Sequence, residues 1–398
     1  MTLRTTRERW NGRDAVRLSN GALEVVALPG GGHLAELCLA GGGATGLNCL
    51  WTPSWPTADP DSSSTTPGAS PLAARYGGDA AARFLAGYTG HALCLDLFGP
   101  PSPEEEALGV ALHGEAAVHP WIFESTPTGC IGRVELPVAQ LGFERRLSLD
   151  SRAPVLFIEE RIESRSAEPR DLHWVQHLTL GPPFLAAGES VVNATLDRGL
   201  TWPLGYEGHE ILPDNAPFIW PYAPTLDGSG ADLRVPFARR DTGFVAAARV
   251  SLGHDFAFIA ALNFRLGLAL VYCFRRRDFP WIAIWEENCA RTAAPWSGVT
   301  QARGMEFGTT PMPVGRDALR AMGTLLDTPS SRTIASRGVA RTRYLAALTT
   351  VPASWRAIVD VQPEPDALRL IGDEASSSIL ISAAGLLDFL ERDGEEMR

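Results

Sequence analysis

The sequence predicts an all-β fold, a large antiparallel β-sandwich with few short helices. Short apolar runs rich in β-branched and aromatic residues follow one another along the chain, and Gly, Pro, Asn or Asp residues close them. Helical periodicity is rare by comparison. The chain has 398 residues, which is long for one domain, but all-β domains often reach such lengths without dividing.

The runs that predict strands are Leu23–Leu28, Phe143–Leu149, Val155–Ile162, Phe244–Val250, Phe256–Leu262 and Leu266–Phe274. The last two runs form a hairpin around Asn263–Arg265. A second hairpin turns at Pro154, because proline cannot donate a hydrogen bond to a central ladder. Helical spacing of apolar residues predicts only two short helices, Arg316–Met322 and Ala383–Arg392.

Residues 1–398 are expected to form one domain, because strand and turn signals continue evenly and the composition does not shift. The segment 53–70 is the exception. It is dense in Pro, Ser, Thr and Asp, which predicts an exposed loop insertion.

Charge and composition exclude several classes of function. A net charge of −11 argues against nucleic acid or an anionic membrane as a partner, since both need a basic surface. All 35 basic residues are arginine, so the chain can form no lysine Schiff base and carries no Walker-type lysine. We expect a cytoplasmic protein without a membrane span, because the N-terminus has no signal-like apolar stretch and Phe256–Phe274 is interrupted by Asn263 and Arg265.

The stretch HWVQH carries two histidines four residues apart, His173 and His177. A helix would place them one turn apart, close enough to share a zinc ion. The predicted strand places them on one face but about 13 Å apart at about 3.3 Å per residue, which is too far for one ion. No metal site is therefore predicted here, and His173 is interpreted as structural.

Other polar and aromatic residues suggest a sugar site. His113 and Glu115 lie together in LHGEAAVHPW, and Glu306 lies between two glycines that leave its carboxylate accessible. Strand alternation puts Trp285 and Glu287 on one face of the run Pro280–Asn288. An indole beside carboxylates suits a sugar, whose C–H faces stack on aromatic rings while its hydroxyls donate hydrogen bonds. We therefore name His113, Glu115, Trp285 and Glu287 as candidate substrate-binding residues.

Together these segments carry a resemblance to a known family. In chain order they are LSNGALEVVALPGGG (Leu18–Gly32), NCLW (Asn48–Trp51), LHG (Leu112–Gly114), SAEPRDLHWVQH (Ser166–His177), PWIAIWEEN (Pro280–Asn288) and RGME (Arg303–Glu306). Their order and character resemble the aldose 1-epimerase (galactose mutarotase) family. The resemblance implies a galactose mutarotase-like supersandwich with a sugar in an open cleft across one sheet.

The resemblance also implies a reaction and its residues. Glu306 corresponds to the general base, His177 to the general acid, and His113 to a second histidine that holds the sugar ring. The reaction is interconversion of the α and β anomers of an aldose by ring opening. A small-molecule sugar is the implied partner, and neither metal nor cofactor is implied.

Several departures leave alternatives open. Ala283 stands where many family members have a polar contact, and residues 83–99 have no clear counterpart in the best-known galactose enzymes. The substrate can therefore be a hexose phosphate or a modified sugar, or the chain can be a non-catalytic carbohydrate-binding protein on the same scaffold. The charged run Arg275–Asp278 is read as a solvated hairpin end or, alternatively, as a phosphate site. The sequence leaves the oligomeric state open.

Overall fold

The computed structural model describes residues 3–41, 46–60, 75–76, 79–202, 205–206, 208–374 and 377–392. Within these ranges we find no helix with the length and apolar character needed to traverse a lipid bilayer.

Antiparallel strands dominate the described residues. In chain order they are β1 Arg4–Trp10, β2 Arg13–Ser19, β3 Leu23–Ala27, β4 Leu34–Leu39, β5 His91–Leu95, β6 Ile122–Thr126, β7 Gly129–Leu136, β8 Leu141–Leu149, β9 Val155–Ser164, β10 Arg170–Leu172, β11 Trp174–Leu180, β12 Ser190–Ala194, β13 Leu196–Trp202, β14 Pro217–Ile219, β15 Tyr222–Ala223, β16 Ala231–Asp232, β17 Thr242–Val250, β18 Phe256–Asn263, β19 Leu268–Arg275, β20 Trp281–Asn288, β21 Gln301–Gly308, β22 Thr324–Leu325, β23 Thr328–Pro329, β24 Arg332–Ile334, β25 Val339–Thr350, β26 Ile358–Glu364, β27 Ala367–Gly372 and β28 Ser378–Ser382. The helices are α1 Asp79–Gly87, α2 Pro103–Ala107, α3 Arg316–Met322 and α4 Leu386–Glu391.

Two large sheets form the sandwich. The first has the order β1-β2-β3-β4-β5-β11-β21-β20-β17-β13-β14-β15-β16, and the second has the order β12-β18-β19-β25-β9-β8-β7-β6. One continuous apolar core includes side chains of both sheets, among them Trp174 and Leu178 of β11 and Ile158 of β9. Because side chains alternate along a strand, Val175, His177 and Thr179 of β11 lie on the outer face of the first sheet.

A smaller third layer covers part of the second sheet. Strands β26, β27 and β28 form a three-stranded sheet. Leu370 of this sheet, Leu386 of α4 and Trp355 from the segment before β26 pack in one cluster with the outward side chains of the second sheet, such as Val271 and Phe258. This third layer packs on the outer face of the second sheet and not on that of the first.

A fully buried polar network joins the two sheets. Arg145 of β8 and Glu160 of β9 form an ion pair with an Nε–Oε1 distance of 2.7 Å, and both side chains are 0% exposed. Glu160 also accepts hydrogen bonds from Trp174 Nε1 at 2.8 Å, Gln176 Nε2 at 2.7 Å and Tyr344 Oη at 2.8 Å. Because buried charges are tolerated only when paired and hydrogen-bonded, these contacts stabilise the ion pair and fix β11 against the second sheet.

The predicted fold class is confirmed. The predicted strands at Leu23, Phe143, Val155, Phe244, Phe256 and Leu266 are present as β3, β8, β9, β17, β18 and β19, and α3 has the predicted bounds. The second predicted helix is shorter, Leu386–Glu391, because Gly385 precedes it in a left-handed conformation.

The sequence also predicts a single domain and an exposed loop at 53–70. Residues 53–60 form neither helix nor strand, and Trp55 is buried against Trp51 and Trp296. Residues 61–70 lie outside the described residues. Both expectations stay predictions.

Candidate active site

His177 and Glu306 face each other across two neighbouring strands. They are direct partners in the antiparallel pairing of β11 with β21, and His177 Nε2 lies 3.3 Å from Glu306 Oε1. Directly opposed residues in such a pair have Cβ atoms about 5 Å apart, so the register alone brings the two functional groups together. On their other sides, His177 is paired with Ala92 of β5 and Glu306 with Ala283 of β20. Among these four cross-strand neighbours, Glu306 and His177 are the polar side chains, and the two alanines leave space beside them.

Two glycines on β21 shape the space around the carboxyl group. A Cβ atom at Gly304 would lie 2.3 Å from Glu306 Oε1, and one at Gly308 would lie 2.6 Å from Val175 Cγ2. A side chain at position 304 would therefore displace the carboxyl group from its present position. The sequence analysis expects the two glycines to leave the carboxylate accessible. In the structure Glu306 is 3% exposed, and its carboxyl group occupies the space that the missing side chain of Gly304 leaves open.

The pair lies in a cleft of about 520 Å³ on the outer face of the first sheet. Its walls are mostly aromatic and aliphatic, and His113, Arg291 and the hydroxyl group of Tyr88 are their other polar or charged members. The larger aromatic and aliphatic lining residues are Phe84, Leu85, Tyr88, Leu112, Trp202, Trp285 and Trp296. Such a pocket, largely apolar with a few polar groups at one place, is typical of small-molecule sites.

Tyr88 contacts the ring nitrogen of His177 that faces away from Glu306. Its hydroxyl lies 3.0 Å from His177 Nδ1 and 2.5 Å from Thr179 Oγ1, and Thr179 Oγ1 lies 3.1 Å from the same Nδ1. Burial raises the pKa of Tyr88 well above its ordinary value, so the phenol keeps its proton. Partners at Nδ1 decide which ring nitrogen carries the imidazole proton, and they therefore control the nitrogen that faces Glu306.

His113 lines the same cleft from the loop before Glu115. Its backbone has φ 65°, and its Nδ1 accepts a hydrogen bond from the Gly99 amide at 3.2 Å. The neutral ring therefore carries its proton on Nε2 and can donate from there. Burial lowers the pKa of His113 to about 3, which keeps the ring neutral at physiological pH. Its ring centroid is 5.3 Å from that of His177.

Trp285 forms another wall of the cleft. Its ring centroid is 6.0 Å from that of His177, and its Nε1 donates to the Tyr206 hydroxyl at 2.5 Å. The guanidinium carbon of Arg291 lies 5.9 Å from the Trp285 ring and 5.0 Å from the Trp296 ring. Trp285 is thus fixed at its polar end and presents its ring beside the pair.

The structure does not bring Glu115 or Glu287 into the lining of the cleft. The Glu115 carboxylate accepts hydrogen bonds from the main-chain amides of Val138 at 3.2 Å and Ala139 at 2.7 Å. The Glu287 carboxylate accepts from the amides of Ala290 at 2.7 Å and Arg291 at 3.0 Å. Both acids are engaged in holding turns, and we leave them out of the functional proposal below.

Burial determines the protonation of the central pair. It raises the pKa of Glu306 to about 8 and lowers that of His177 well below its ordinary value. At neutral pH the two groups therefore hold one ionisable proton between them, as a neutral acid beside a neutral imidazole. The alternative form, carboxylate beside imidazolium, has the same number of protons and differs only in the position of one of them.

Glu306→Gln is expected to stabilise the protein increasingly as the pH rises. Folded Glu306 keeps its proton up to about pH 8, whereas a glutamate in the unfolded chain loses it near pH 4.5. The free energy of unfolding of the wild-type protein therefore decreases as the pH rises from about 4.5 to about 8. Glutamine has no such proton to lose. We expect a gain in unfolding free energy of about 2 to 4 kcal/mol at pH 8 and little gain near pH 4.5, measured by urea denaturation. Glu168→Gln, at an exposed position, is the control. A gain that does not grow with pH contradicts the prediction.

Several residues of the cleft are not found by the sequence argument. Phe84, Tyr88, Arg291 and Trp296 line it, and the first two come from α1 and the residue that follows it. Phe84 and Tyr88 are four residues apart and stack with ring centroids 4.6 Å apart. This spacing in RFLAGY is the available signal, because residues four apart share a helix face.

Comparison with known proteins addresses the fold. No protein-family model matches the chain, and no curated protein matches its sequence. Solved structures do match it. A candidate aldose 1-epimerase from Klebsiella pneumoniae subsp. pneumoniae MGH 78578 aligns with a TM-score of 0.58 at 14% identity, over 85% of this chain and 80% of that one. A galactose mutarotase-like protein from Clostridium acetobutylicum aligns with a TM-score of 0.54 at 14% identity, over 88% and 99%.

A third similar structure is a galactose mutarotase related enzyme from Lactobacillus acidophilus, with a TM-score of 0.51 at 12% identity, over 85% of this chain and 98% of that one. The chain therefore has the galactose mutarotase-like fold. The resemblance seen in the sequence is confirmed at the level of fold, and activity is a separate matter because one fold hosts many functions.

Proposed function

We propose that this protein is an aldose 1-epimerase, which interconverts the α and β anomers of an aldose. The observation that carries the proposal is the contact between His177 Nε2 and Glu306 Oε1 at 3.3 Å inside an aromatic cleft. An acid and a base at one place are what anomer exchange needs, because one proton leaves the C1 hydroxyl while another reaches the ring oxygen. The galactose mutarotase-like fold of the chain supports the same reaction class.

The reaction follows from the protonation of the pair. Transfer of the shared proton from Glu306 to His177 gives the carboxylate and imidazolium. The carboxylate then takes the proton of the C1 hydroxyl, the imidazolium gives its proton to the ring oxygen, and the C1–O5 bond breaks to give an open-chain aldehyde. After rotation about C1–C2 the ring closes on the other face of C1, and both protons return. The proton balance of the enzyme is unchanged at the end.

The surrounding residues support this sequence of steps. The Nε2–H of His113 can donate a hydrogen bond to a sugar oxygen, and the ring of Trp285 offers an apolar surface to the C–H face of a pyranose. The apolar walls displace water, which strengthens the electrostatic interaction between the pair and the reacting oxygens.

The test is direct measurement of anomer exchange. Polarimetry of freshly dissolved α-glucose and α-galactose, and NMR exchange spectroscopy for other aldoses, compare wild-type protein with Glu306→Gln. We expect wild-type protein to accelerate exchange and Glu306→Gln to lower the rate by about 10²-fold or more while the sugar still binds, since each positioned proton-transfer group contributes about 10²- to 10⁴-fold. Glu168→Gln serves as the matched control and should exchange at the wild-type rate.

Two results separate the proposal from its alternative. Sugar binding without any acceleration, across the aldoses tested, would establish a carbohydrate-binding protein on the same fold. Equal rates for wild-type protein and Glu306→Gln would show that the observed exchange does not use this pair.

A second candidate function is epimerisation of an aldose that carries an anionic group. The observation that favours it is Arg291, a cation in the lining of the cleft whose Nη1 lies 3.3 Å from Glu287 Oε2. Arginine binds phosphate and carboxylate groups through several N–H donors. Exchange of a hexose 6-phosphate faster than of the free hexose, with the preference lost in Arg291→Gln, would favour this candidate.

Tyr88→Phe is expected to lower the rate of exchange by about 10-fold without raising KM. The phenol is one of two hydroxyls at His177 Nδ1, so its loss leaves Thr179 alone to orient the ring. Rates measured from pH 6 to pH 9 provide the diagnostic readout, since a changed imidazole environment shifts the pH profile whereas a packing defect does not. Phe84→Leu, which alters the stacked neighbour but no hydrogen bond to His177, is the control. An unchanged profile in Tyr88→Phe contradicts the positioning role.

A further inference from the structure

The cleft extends across the first sheet, well beyond the central pair. Gly304, two residues before Glu306 on β21, pairs with Trp285 of β20. Trp285 pairs in turn with Val245 of β17, and Val245 pairs with Trp202 of β13. These four strands are consecutive in the sheet, and Trp285, Val245 and Trp202 all line the cleft. The lining therefore follows one row of side chains across the sheet.

This row is longer than a single sugar ring. Neighbouring strands lie about 4.8 Å apart, so Trp202, three strands away from β21, is about 14 Å from the strand that carries Glu306. A hexopyranose is little longer than the spacing between two strands. With its C1 at the pair of His177 and Glu306, a free hexose therefore ends near Trp285 and does not reach Trp202.

Apolar side chains are partly exposed towards the cleft. Four partly buried residues pack against the apolar cluster that contains Trp285 and Val245, and all four line the cleft. They are Ala81, Leu112, Trp202 and Trp296. A concave site to which one cluster presents so much uncovered apolar surface favours a ligand that has an apolar part of its own.

Two polar groups near this end of the cleft are already engaged. Trp285 Nε1 donates to the Tyr206 hydroxyl at 2.5 Å. The guanidinium carbon of Arg291 lies 4.6 Å from the Tyr206 ring and 5.0 Å from the Trp296 ring, and its Nη1 is 3.3 Å from Glu287 Oε2. A second sugar ring would bring several hydroxyl groups to this surface and would find few free partners among the described residues. An aromatic group instead buries its faces against the indole rings.

We propose that the substrate of this cleft is an aldose that carries an aromatic substituent, and that Trp202 and Trp285 hold the substituent over Val245. The two tryptophans belong to strands about 10 Å apart, on either side of Val245, a separation that admits a flat ring. The inference rests on the proposed function, since anomer exchange places C1 at the central pair. That reaction needs a free hydroxyl on C1, so the substituent is attached through another oxygen of the sugar.

The test compares mono-O-benzyl and mono-O-methyl ethers of glucose and galactose, substituted at O2, O3, O4 or O6 and free at C1. Calorimetric titration of the full chain measures binding without any need for catalysis. We expect at least one benzyl ether to bind about 10-fold more tightly than the parent hexose and than the methyl ether of the same oxygen, because an aromatic ring buries much more apolar surface than a methyl group. Benzyl ethers that bind no more tightly than their methyl counterparts would overturn the proposal.

Trp202→Ala locates the substituent in the cleft. This variant should lower the affinity for the preferred benzyl ether about 10-fold, since it removes one of the two indoles. Trp220→Ala is the matched control, because Trp220 is also partly exposed but lies outside the lining of the cleft, and it should leave the affinity unchanged. Equal losses in the two variants would overturn the proposal. The comparison of ethers uses wild-type protein, so it decides the matter even if a variant does not fold.

The results distinguish this inference from the proposed function. A preference for a benzyl ether, lost in Trp202→Ala, without faster exchange of any sugar would support the aromatic subsite and contradict the epimerase. Faster exchange of free hexoses without any preference for benzyl ethers would support the epimerase and overturn the aromatic subsite. Tighter binding of glucose 6-phosphate than of every benzyl ether would also overturn it and favour an anionic substituent.

Discussion

Replacing His177 by asparagine is expected to lower kcat/KM for anomer exchange by about 10²- to 10⁴-fold. Asparagine can hydrogen-bond to Thr179, but it cannot pass a proton to the ring oxygen of the sugar or receive one from Glu306. The measurement is the rate of approach to anomeric equilibrium by polarimetry, at several sugar concentrations so that kcat and KM are separated. We expect the loss to lie mainly in kcat, because proton transfer belongs to the transition state.

His173→Asn is the matched control, because the same substitution is made four residues away beside the same strand. His173 is 2% exposed and lines a different pocket, with Arg170, Arg316 and Arg320. Its removal should leave exchange unchanged. Comparable losses in the two variants would mean that His177 acts through the integrity of β11 and not as an acid.

Replacing Arg145 by methionine is expected to lower the free energy of unfolding by about 3 to 5 kcal/mol. The substitution leaves the Glu160 carboxylate in the interior of the sandwich, where both side chains of the ion pair are fully buried, without its cation. The interaction with Gln176 Oε1, at 3.1 Å from Arg145 Nη2, is lost as well. Urea denaturation followed by tryptophan fluorescence measures the effect.

Arg133→Met provides the comparison on the neighbouring strand β7. Arg133 pairs with Glu144 at 2.8 Å and Glu124 at 2.6 Å, but its side chain is 45% exposed. Exposed ion pairs contribute about 0 to 1 kcal/mol, so its loss should be small. A cost for Arg145→Met no larger than that for Arg133→Met would contradict the importance assigned to the buried network.

Much of the fold could be predicted because it depends on local patterns. Alternation along the predicted strand separates His177 from Trp174 and Leu178, and in the structure these two pack in the core. The contact between His177 and Glu306 depends instead on the register of β11 with β21. Register is set by the packing of the whole sheet, and the local sequence of either strand does not contain it.

The site was predicted less completely because hydrogen-bonding partners are not visible in a sequence. Glu115 and Glu287 have the chemistry of sugar ligands, but nearby turns direct main-chain amides at both carboxylates. Helix α1 was not predicted because its buried face consists of Ala82, Phe84, Leu85 and Ala86, and a face made half of alanine gives a weak signal of hydrophobic spacing.

The cleft is built from two kinds of element, paired central strands and a short helix that lies over them. The acid and the imidazole are attached to paired central strands, whose positions the interior of the sandwich fixes. The aromatic wall of Phe84 and Tyr88 comes from a single short helix and the residue after it, laid on top of those strands. Exchange of residues 79–87 with Tyr88 retained can therefore alter one wall of the cleft, while the contact of His177 with Glu306 and that of Tyr88 with His177 stay in place.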